Sequence, residues 1–288
     1  MKFYSEKQNG KITCLLCGHY CKLKENSVGV CKVNKNNGSK IDCLVYGYPK
    51  AINIDPIEKK PLYHFLPNTK TFSIGTVGCN FHCSFCQNWQ LSQNNSIDTS
   101  RYFSPCEIVD LAIEYNCNSI SYTYNEPTIF FPYIYDIATI AHQNGLKNIM
   151  VSNGFESNEV REAMVGKIDA VNIDLKSFDD KYYKSKLGGK LEVILENLKF
   201  FVKNNIHLEI TTLVVPTHND SVEELNKIAS FIANELNVEI PWHISAFHPD
   251  YKELDLPRTS LDTLKLAQEI GYSYKLKNIH LGNIGGLV

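Results

Sequence analysis

The spacing of apolar and polar residues changes near residue 70 of this 288-residue chain. From there on, short apolar runs alternate with longer stretches that carry apolar residues at intervals of three and four. The short runs predict β-strands at 72–77, 119–124, 148–152, 170–175, 208–215 and 242–247, with a shorter one at 278–281. The longer stretches, at 191–204 and 225–236, predict helices that lay one face on a sheet.

Two helix starts are marked by their sequences, one for a further helix after residue 104 and one for the helix at 225–236. Ser104-Pro-Cys-Glu107 and Ser221-Val-Glu-Glu224 match the capping box, and the first also places proline at the opening helical position. Six or seven strands that alternate with helices indicate an α/β fold with a parallel sheet and right-handed crossovers. Periodicity alone leaves open whether the sheet is open or closed into a barrel. In barrel-like α/β folds, function gathers at the carboxyl ends of the strands.

Residues 1–68 differ from the rest and predict a small cysteine-rich module, followed by a core domain at 69–288. The module has too few apolar residues to fold unaided, so we expect a bound metal to stabilise it. Its candidate ligands are Cys14, Cys17, Cys21 and Cys31, with Cys43 and His19 as spare donors. Four thiolates suit structural zinc or an auxiliary iron–sulfur cluster, and spacing neither chooses between these nor excludes unliganded thiols.

Composition narrows the class of protein. The formal net charge is −2 and the pI is about 6.5, so no basic face favours nucleic acid as a partner. The first residues lack an apolar signal core and no apolar run suits a membrane span, so we expect a cytoplasmic protein without membrane association. Ten cysteines in a reducing cytosol indicate metal binding rather than disulfides. Exposed thiolates oxidise, which suggests an anaerobic or microaerobic cell.

The most informative segment is Cys79-Asn-Phe-His-Cys83-Ser-Phe-Cys86, which directly follows the first predicted strand of the core. A structural zinc site normally uses four protein ligands, and this loop offers three thiolates. On a four-iron cluster, three thiolates leave one iron without a protein ligand and therefore open to a substrate. The alternatives are a zinc knuckle completed by His82 and buried thiols that bind nothing.

Polar residues follow three further predicted strands at their exits. Glu126 precedes a proline after the second strand, where its carboxylate can accept hydrogen bonds from an ammonium group. Ser152 and Asn153 follow the third strand. Asp174 and Lys176 end the fourth, on the same side of the sheet because strand side chains alternate. The alternatives are a solvated loop glutamate and an ordinary ion pair at the rim of the sheet.

The spacing of the three cysteines resembles that of the radical S-adenosylmethionine (radical SAM) superfamily. The resemblance implies a partial (β/α)6 barrel similar to a TIM barrel, and a 4Fe-4S cluster held by Cys79, Cys83 and Cys86. In that superfamily S-adenosylmethionine chelates the open iron. One electron from the cluster then cleaves a C–S bond, and the resulting 5'-deoxyadenosyl radical abstracts a hydrogen atom.

Ser152-Asn-Gly154 and Asp174-Leu-Lys176 resemble motifs of the glycyl-radical-enzyme activases, a branch of the superfamily. The resemblance assigns cofactor contacts to Glu126, Ser152, Asn153, Asp174 and Lys176, and places a histidine near the adenosine. His248 fits that position best and His243 is second. Relatives carry two glycines before the glutamate, whereas this chain has Tyr124 and Asn125.

More of the chain resembles the AmmeMemoRadiSam enzymes, which are described as similar to pyruvate formate-lyase activating enzyme. The matching segments are the early cysteines, 55–64, 78–88, 121–127 and 242–249. The segment 55–64 would ordinarily be taken for a linker, yet Glu58, Lys59, Lys60, Tyr63 and His64 are candidates for the substrate mouth. Ala246 stands where relatives commonly have arginine, and relatives often continue into another cysteine pair, so a third metal site is not expected.

The resemblance implies an oxidoreductase that draws on a low-potential electron donor, a ferredoxin or a flavodoxin. It also suggests Memo-type and AMMECR-type proteins as partners. The substrate is expected to be a protein or a peptide, although a small molecule remains open. The competing hypothesis is a non-catalytic iron–sulfur redox or sensor module, which would need the cysteines but not Glu126, Ser152 and Lys176 at successive strand exits.

Overall fold

A computed structural model describes residues 2–285, which form one large sheet covered by helices, together with two small sheets. The strands are β1 (Lys11–Thr13), β2 (Lys22–Lys24), β3 (Asn34–Asn36), β4 (Ile41–Cys43), β5 (Ala51–Pro56), β6 (Lys70–Gly75), β7 (Ser119–Tyr122), β8 (Lys147–Ser152), β9 (Ala170–Asp174), β10 (His207–Val214), β11 (Trp242–Ala246) and β12 (Ile279–Gly282). The large sheet has the order β12-β11-β10-β9-β8-β7-β6-β5. Its strands β6 to β12 are parallel, and β5 pairs antiparallel with β6.

The helices are α1 (Trp89–Ser92), α2 (Pro105–Glu114), α3 (Phe131–Gln143), α4 (Asn158–Met164), α5 (Asp180–Tyr182), α6 (Leu191–Lys203), α7 (Val222–Phe231) and α8 (Leu261–Ser273). Single π-helical turns follow α5 and α7, at Tyr183–Leu187 and Ile232–Leu236. Short 3₁₀ turns lie at Ile57–Lys59 and Pro127–Phe130. No helix among residues 2–285 combines the length and apolarity that a membrane crossing needs.

The α/β prediction is confirmed. All seven predicted strands are present, each within two residues of its predicted ends. A helix lies between each pair of consecutive strands from β6 to β12, which gives six β/α units and leaves β5 and β12 as the edges of a partial barrel. The Ser104 and Ser221 hydroxyls cap α2 and α7 by accepting from the amides of Glu107 and Glu224.

The first part of the chain is more ordered than the sequence suggested. It contains two antiparallel pairs of short strands, β1–β2 and β3–β4. The segment that resembles a linker begins inside β5, where Asp55 and Pro56 belong to the edge strand of the large sheet. An edge strand tolerates proline and charge because one side of its backbone needs no partner. Backbone bonds from Gly18 to Phe155 O and from Ser157 to Leu16 O join the early segment to the loop after β8.

Candidate active site

A cavity of about 390 Å³ opens at the carboxyl ends of the parallel strands. Residues from the ends of β6 to β12 contribute to its wall, as the topology of parallel strands requires. The predicted site residues that line it are Cys79, Cys83, Cys86, Glu126, Ser152, Asn153, Asp174 and Lys176. The fold therefore brings together eight side chains that are spread over almost a hundred residues of sequence.

The loop that carries the three cysteines is held by close backbone packing. Gly78 has φ +90°, and a Cβ atom there would lie 2.7 Å from the carbonyl oxygen of Cys31. The position therefore requires glycine both for its backbone conformation and for space. The amide of Phe81 donates to Cys79 Sγ at 3.3 Å, and burial raises the pKa of Cys83 to about 12. Without a metal these thiols stay protonated, and metal binding would displace their protons.

The donor set fits an iron–sulfur cluster better than a single ion. Within the described part of the chain, neither this loop nor the early cysteines bring three cysteine, histidine or carboxylate side chains close enough together to hold one metal ion. A four-iron cluster spreads its thiolates over separate irons, so its ligands need not meet at one point. The Nε2 of Gln87, which lines the cavity, is buried without a hydrogen-bond partner among residues 2–285. A buried donor of this kind requires an acceptor, which a ligand in the cavity can supply.

Glu126 is cradled by donors although it faces the cavity. Its Oε1 accepts from the amide and hydroxyl of Thr128, at 2.9 and 2.5 Å, and from Ser152 Oγ at 2.9 Å. Its Oε2 accepts from the amide of Asn153 at 2.8 Å. Burial raises the pKa of Glu126, and these hydrogen bonds oppose the shift. The carboxylate is thus fixed in orientation, as a group that binds an ammonium ion must be.

Glu156 is a site residue that the sequence analysis missed. It is fully buried, and its Oε1 lies 2.6 Å from Ser152 Oγ, the same hydroxyl that contacts Glu126. A hydroxyl has a single hydrogen, so it donates to only one of the two carboxyl groups and must accept from the other. The pair is therefore satisfied when one member is protonated. Burial and the charge of Glu126 raise the pKa of Glu156 to about 7, so we assign the proton to Glu156.

Asn125 explains how the chain does without the glycines that its relatives carry before the glutamate. Its Nδ2 donates to Thr76 Oγ1 and to the carbonyl of Gly78, at 3.0 and 2.9 Å, and its Oδ1 accepts from the amide of Thr76. The side chain thereby ties the Glu126 loop to the cysteine loop. Tyr124 has φ +72°, a left-handed conformation in which a glycine would be unstrained.

The strained Tyr124 contributes to a cationic wall of the cavity. Its hydroxyl donates to Asp55 Oδ2 at 2.6 Å, and its ring faces the Lys60 ammonium, which lies 4.6 Å from the ring centre. Lys59 and Lys60 both pair with Asp55, at 2.8 and 2.6 Å, and both line the cavity. Burial would raise the pKa of Asp55, but these hydrogen bonds hold it well below its usual range. Two lysines against one aspartate leave this wall positive.

Asp174 and Lys176 form the ion pair that strand alternation predicted. Lys176 Nζ lies 2.8 Å from Asp174 Oδ2, with 15% of the lysine side chain exposed. Burial alone would lower the pKa of Lys176, but the Asp174 carboxylate raises it, so the group remains a cation. Its position between the cysteine loop and the cavity suits a ligand that carries a carboxylate.

Three histidines considered for the site lie elsewhere. His248 is exposed and is not part of the cavity wall, because β11 ends at Ala246 and the chain has left the sheet before it reaches His248. His243 is buried, and its Nε2 lies 2.6 Å from Glu209 Oε2 at the opposite end of the sheet. His82 is exposed beside Gly188 and does not line the cavity. The role assigned to His248 remains a prediction.

The four early cysteines lie near one another. Burial raises the pKa of Cys14 to about 12, and the charges of Cys31 and Cys21 add to the shift. A Cβ atom on Gly29 would lie 3.6 Å from Cys21 Sγ and 3.7 Å from Cys31 Sγ. His19, considered as a spare ligand, instead places Nε2 2.9 Å from the carbonyl of Asn80 in the cysteine loop. The early cysteines are therefore adjacent to the candidate active site.

Comparison with known proteins decides the family. The family model described as the radical SAM superfamily matches residues 73–232, more than half of the chain. This chain belongs to the radical SAM superfamily. Membership implies a 4Fe-4S cluster and S-adenosylmethionine as cofactors and radical SAM catalysis as the activity, as the cysteine spacing predicted.

Relatives cover most of the chain. An uncharacterized protein of Methanocaldococcus jannaschii is 41% identical over 285 residues, which are 99% of this chain and 85% of that protein. The pyruvate formate-lyase-activating enzyme of Clostridium pasteurianum is 23% identical and aligns with 62% of this chain and 77% of its own length. The crystal structure of a radical SAM methyltransferase from Sphaerobacter thermophilus has a TM-score of 0.58 at 13% identity, over 75% of this chain and 67% of that one. Its similarity supports the partial-barrel fold.

Proposed function

We propose that this radical SAM enzyme holds its 4Fe-4S cluster through Cys79, Cys83 and Cys86. It would use the 5'-deoxyadenosyl radical to abstract hydrogen from a protein or peptide, as a glycyl-radical-enzyme activase does. When bound, the cluster would supply the single low-potential electron that reductive cleavage of the C–S bond of S-adenosylmethionine requires. The observation that carries the proposal is the convergence of the three-cysteine loop and the cradled Glu126 on one cavity.

The side chains around the cavity have separate tasks in this proposal. Glu126, ionised while Glu156 keeps the shared proton, binds the amino group of S-adenosylmethionine. Lys176 binds its carboxylate or ribose end, and Asp174 holds Lys176 in place. Ser152 and Asn153 fix Glu126 through the hydroxyl and the backbone amide. For His248, which follows β11 and lies outside the wall of the empty cavity, we keep the proposal of a place near the adenosine.

The proposal of a protein or peptide substrate rests on two observations. Relatives of this chain are named as activating enzymes, and such names describe action on another protein. The cavity wall formed by Lys59 and Lys60 belongs to one segment, 55–61, which would meet the substrate. We further propose an oxidoreductase role, a ferredoxin or flavodoxin as electron donor, and Memo-type and AMMECR-type proteins as partners.

The direct test is anaerobic reconstitution with iron and sulfide, followed by S-adenosylmethionine and dithionite. We expect 5'-deoxyadenosine from the wild type and none from Cys83→Ala, which should also lose cluster iron. Cys106→Ala is the matched control, because Cys106 is exposed on α2 and is not a proposed metal ligand. An intact cluster that yields no 5'-deoxyadenosine would favour the redox or sensor module instead.

For residues 1–68 we propose a metal-binding module in which Cys14, Cys17, Cys21 and Cys31 hold zinc or an auxiliary iron–sulfur cluster. Elemental analysis of Cys83→Ala separates the two metals. Zinc that persists at one equivalent while iron disappears would assign zinc to the module. Iron that persists would assign an auxiliary cluster, and loss of both metals would contradict a separate site.

A further inference from the structure

The segment 180–190, which follows β9, packs directly against the cysteine loop. The amide of His82 donates to the carbonyl of Leu187 at 3.0 Å. A Cβ atom on Gly188 would lie 2.5 Å from the His82 ring, and one on Gly189 would lie 2.4 Å from the Phe81 ring. Only glycine permits this approach, so the two glycines bring the segment's backbone onto the loop that carries Cys79, Cys83 and Cys86.

The inner side of the segment faces the cysteine loop. Tyr183 is fully buried, accepts from the amide of Lys176 at 3.0 Å and lies edge-on to Phe81, with ring centres 6.3 Å apart. The Tyr182 hydroxyl lies 2.6 Å from His218 Nδ1, and the His218 ring lies edge-on to Phe85 of the cysteine loop, with ring centres 6.2 Å apart. Phe81, Tyr182 and Tyr183 therefore form an aromatic layer where the segment meets the cysteine loop.

The outer side of the segment is positively charged. Its lysines are all exposed, and they are Lys181, Lys184, Lys186 and Lys190. Within the described residues only Lys184 forms a salt bridge, with Asp180. Over residues 179–192, four lysines against Asp179, Asp180 and Glu192 leave a local charge of +1 on a chain whose net charge is −2. The π-helical turn at Tyr183–Leu187, a feature often found at functional sites, turns these side chains outward.

We propose that residues 181–190 form the docking surface for an acidic, low-potential, one-electron protein donor of the flavodoxin or ferredoxin type. The donor loses one electron and the cluster on the adjacent loop gains it, across the layer formed by Phe81, Tyr182 and Tyr183. This inference rests on the proposed function, because only a cluster that is turned over needs a donor. Electrostatic attraction would speed the encounter and orient the donor toward Cys83.

A structured RNA is the other polyanion that lysines attract. The lysines occupy a single turn-and-loop of ten residues rather than a stripe, and a nucleic-acid surface usually spreads over more of a domain. The close packing onto the cysteine loop also shortens the path for an electron, whereas RNA binding does not require such a path. We therefore favour the protein donor, and the experiment includes RNA.

The test compares two double variants with the same change in charge. Lys186→Glu/Lys190→Glu alters the proposed surface. Lys203→Glu/Lys265→Glu is the control, because both lysines are exposed and Lys203 lies at the far end of α6, ~20 Å from Lys190. Stopped-flow absorbance gives the rate at which reduced flavodoxin reduces the reconstituted cluster, at low and high salt. Carbodiimide cross-linking with mass spectrometry identifies the lysines that contact the donor's carboxylates.

We expect the rate at low salt to fall about tenfold in Lys186→Glu/Lys190→Glu and to change little in the control, with the difference disappearing near 1 M salt. Cross-links should map to 181–190. Equal rates in both variants, cross-links elsewhere, or transfer RNA that binds these lysines without slowing the donor would overturn the proposal. Dithionite reduces the cluster without docking, so a failure to form 5'-deoxyadenosine with dithionite counts against the proposed function alone.

Discussion

The two ends of the parallel strands place polar side chains in opposite surroundings. On β10, Glu209 lies near the amino end, while Thr211 and Leu213, on the same face, line the cavity near the carboxyl end. On β11, His243 and Ser245 divide in the same way. At the carboxyl end polar atoms face open volume, and Gln87 leaves a donor unused. At the amino end the chain itself supplies the hydrogen-bond partners of Glu209.

The amino end is closed by the segment after β5. Glu209 is fully buried and accepts from the amides of Tyr63 and His64, at 3.0 and 2.8 Å, and lies 3.0 Å from His207 Nε2 and 2.6 Å from His243 Nε2. His64 also places Nε2 2.8 Å from His280 Nε2, so this segment joins the β5 edge of the sheet to β12. The comparison teaches that the same strands carry a buried carboxylate with partners from the chain at one end and an open cavity at the other. Substitutions at the amino end should therefore change stability, and substitutions at the carboxyl end should change ligand binding.

The strongest test of this contrast removes Glu209. We expect Glu209→Ala to lower the free energy of unfolding by about 3–5 kcal/mol, because it leaves two histidines and two amides without their buried acceptor. Urea unfolding at pH 7 measures the change. Glu162→Ala, at an exposed position on α4, should change stability by less than about 0.5 kcal/mol. A small effect of Glu209→Ala would mean that the hydrogen-bonded network around Glu209 does not support the fold.

The pH dependence of the same network has a definite sign. Burial would raise the pKa of Glu209, but hydrogen bonds from the histidines and amides lower it to about 2, against a usual value of 4.5. A carboxyl group with a depressed folded pKa stabilises the protein above its unfolded pKa and loses that contribution as pH falls. The difference in stability between the wild type and Glu209→Gln should therefore shrink as pH falls below about 4.5.

The next effect belongs to the carboxyl end. We expect Glu126→Gln to weaken binding of S-adenosylmethionine by about 10–100-fold, because a hydrogen bond to a charged group contributes about 1.5–3 kcal/mol. Equilibrium binding to the reconstituted enzyme measures the change, and the cluster's absorbance shows that the cluster is retained. Glu162→Gln should bind as the wild type does. Unchanged affinity in Glu126→Gln would remove Glu126 from the site.

The residues at the two ends of the strands also differ in how well the sequence predicts their positions. The seven parallel strands were predicted because each is a short buried apolar run, and the site followed because parallel strands bring their carboxyl ends together. Cys79, Glu126 and Lys176 follow β6, β7 and β9 by two to four residues, and all three line the cavity. His248 follows β11 by two residues and does not line the cavity, so its role stays a prediction.

What could not be predicted depends on contacts between distant segments. β5 resembled a linker because its charge and proline suit an edge strand as well as a loop. Glu156 gave only a weak signal, a carboxylate between Phe155 and a capping serine, and its role follows from contacts with Ser152 and Asn197. The hydrogen-bonded network at the amino end needs His64 and Glu209, which are 145 residues apart in the sequence.

A smaller effect is expected at Lys176. Lys176→Met keeps the length of the side chain, removes the charge beside Asp174, and should weaken binding of S-adenosylmethionine about tenfold while the cluster spectrum is preserved. Lys203→Met, at an exposed position on α6, is the control. The same equilibrium binding experiment applies. Equal affinities for the wild type and Lys176→Met would leave the carboxylate of the ligand to another group, such as Lys60.

The smallest effect concerns His280, the partly exposed histidine whose contact with His64 joins the two edges of the sheet. Burial lowers the pKa of His280 below 6.5, and the neighbouring His243 and His64 lower it further. A histidine that is harder to protonate when folded destabilises the protein as pH falls through 6.5, because the unfolded chain takes up the proton more readily. Between pH 7.5 and 5.5 the wild type should therefore lose slightly more stability than His280→Asn does. Thermal unfolding measures the two slopes, and His248→Asn, at an exposed histidine, should keep the wild-type slope. If His280→Asn keeps it too, the His64–His280 contact adds nothing to closure of the amino end, and Glu209 alone holds the segment in place.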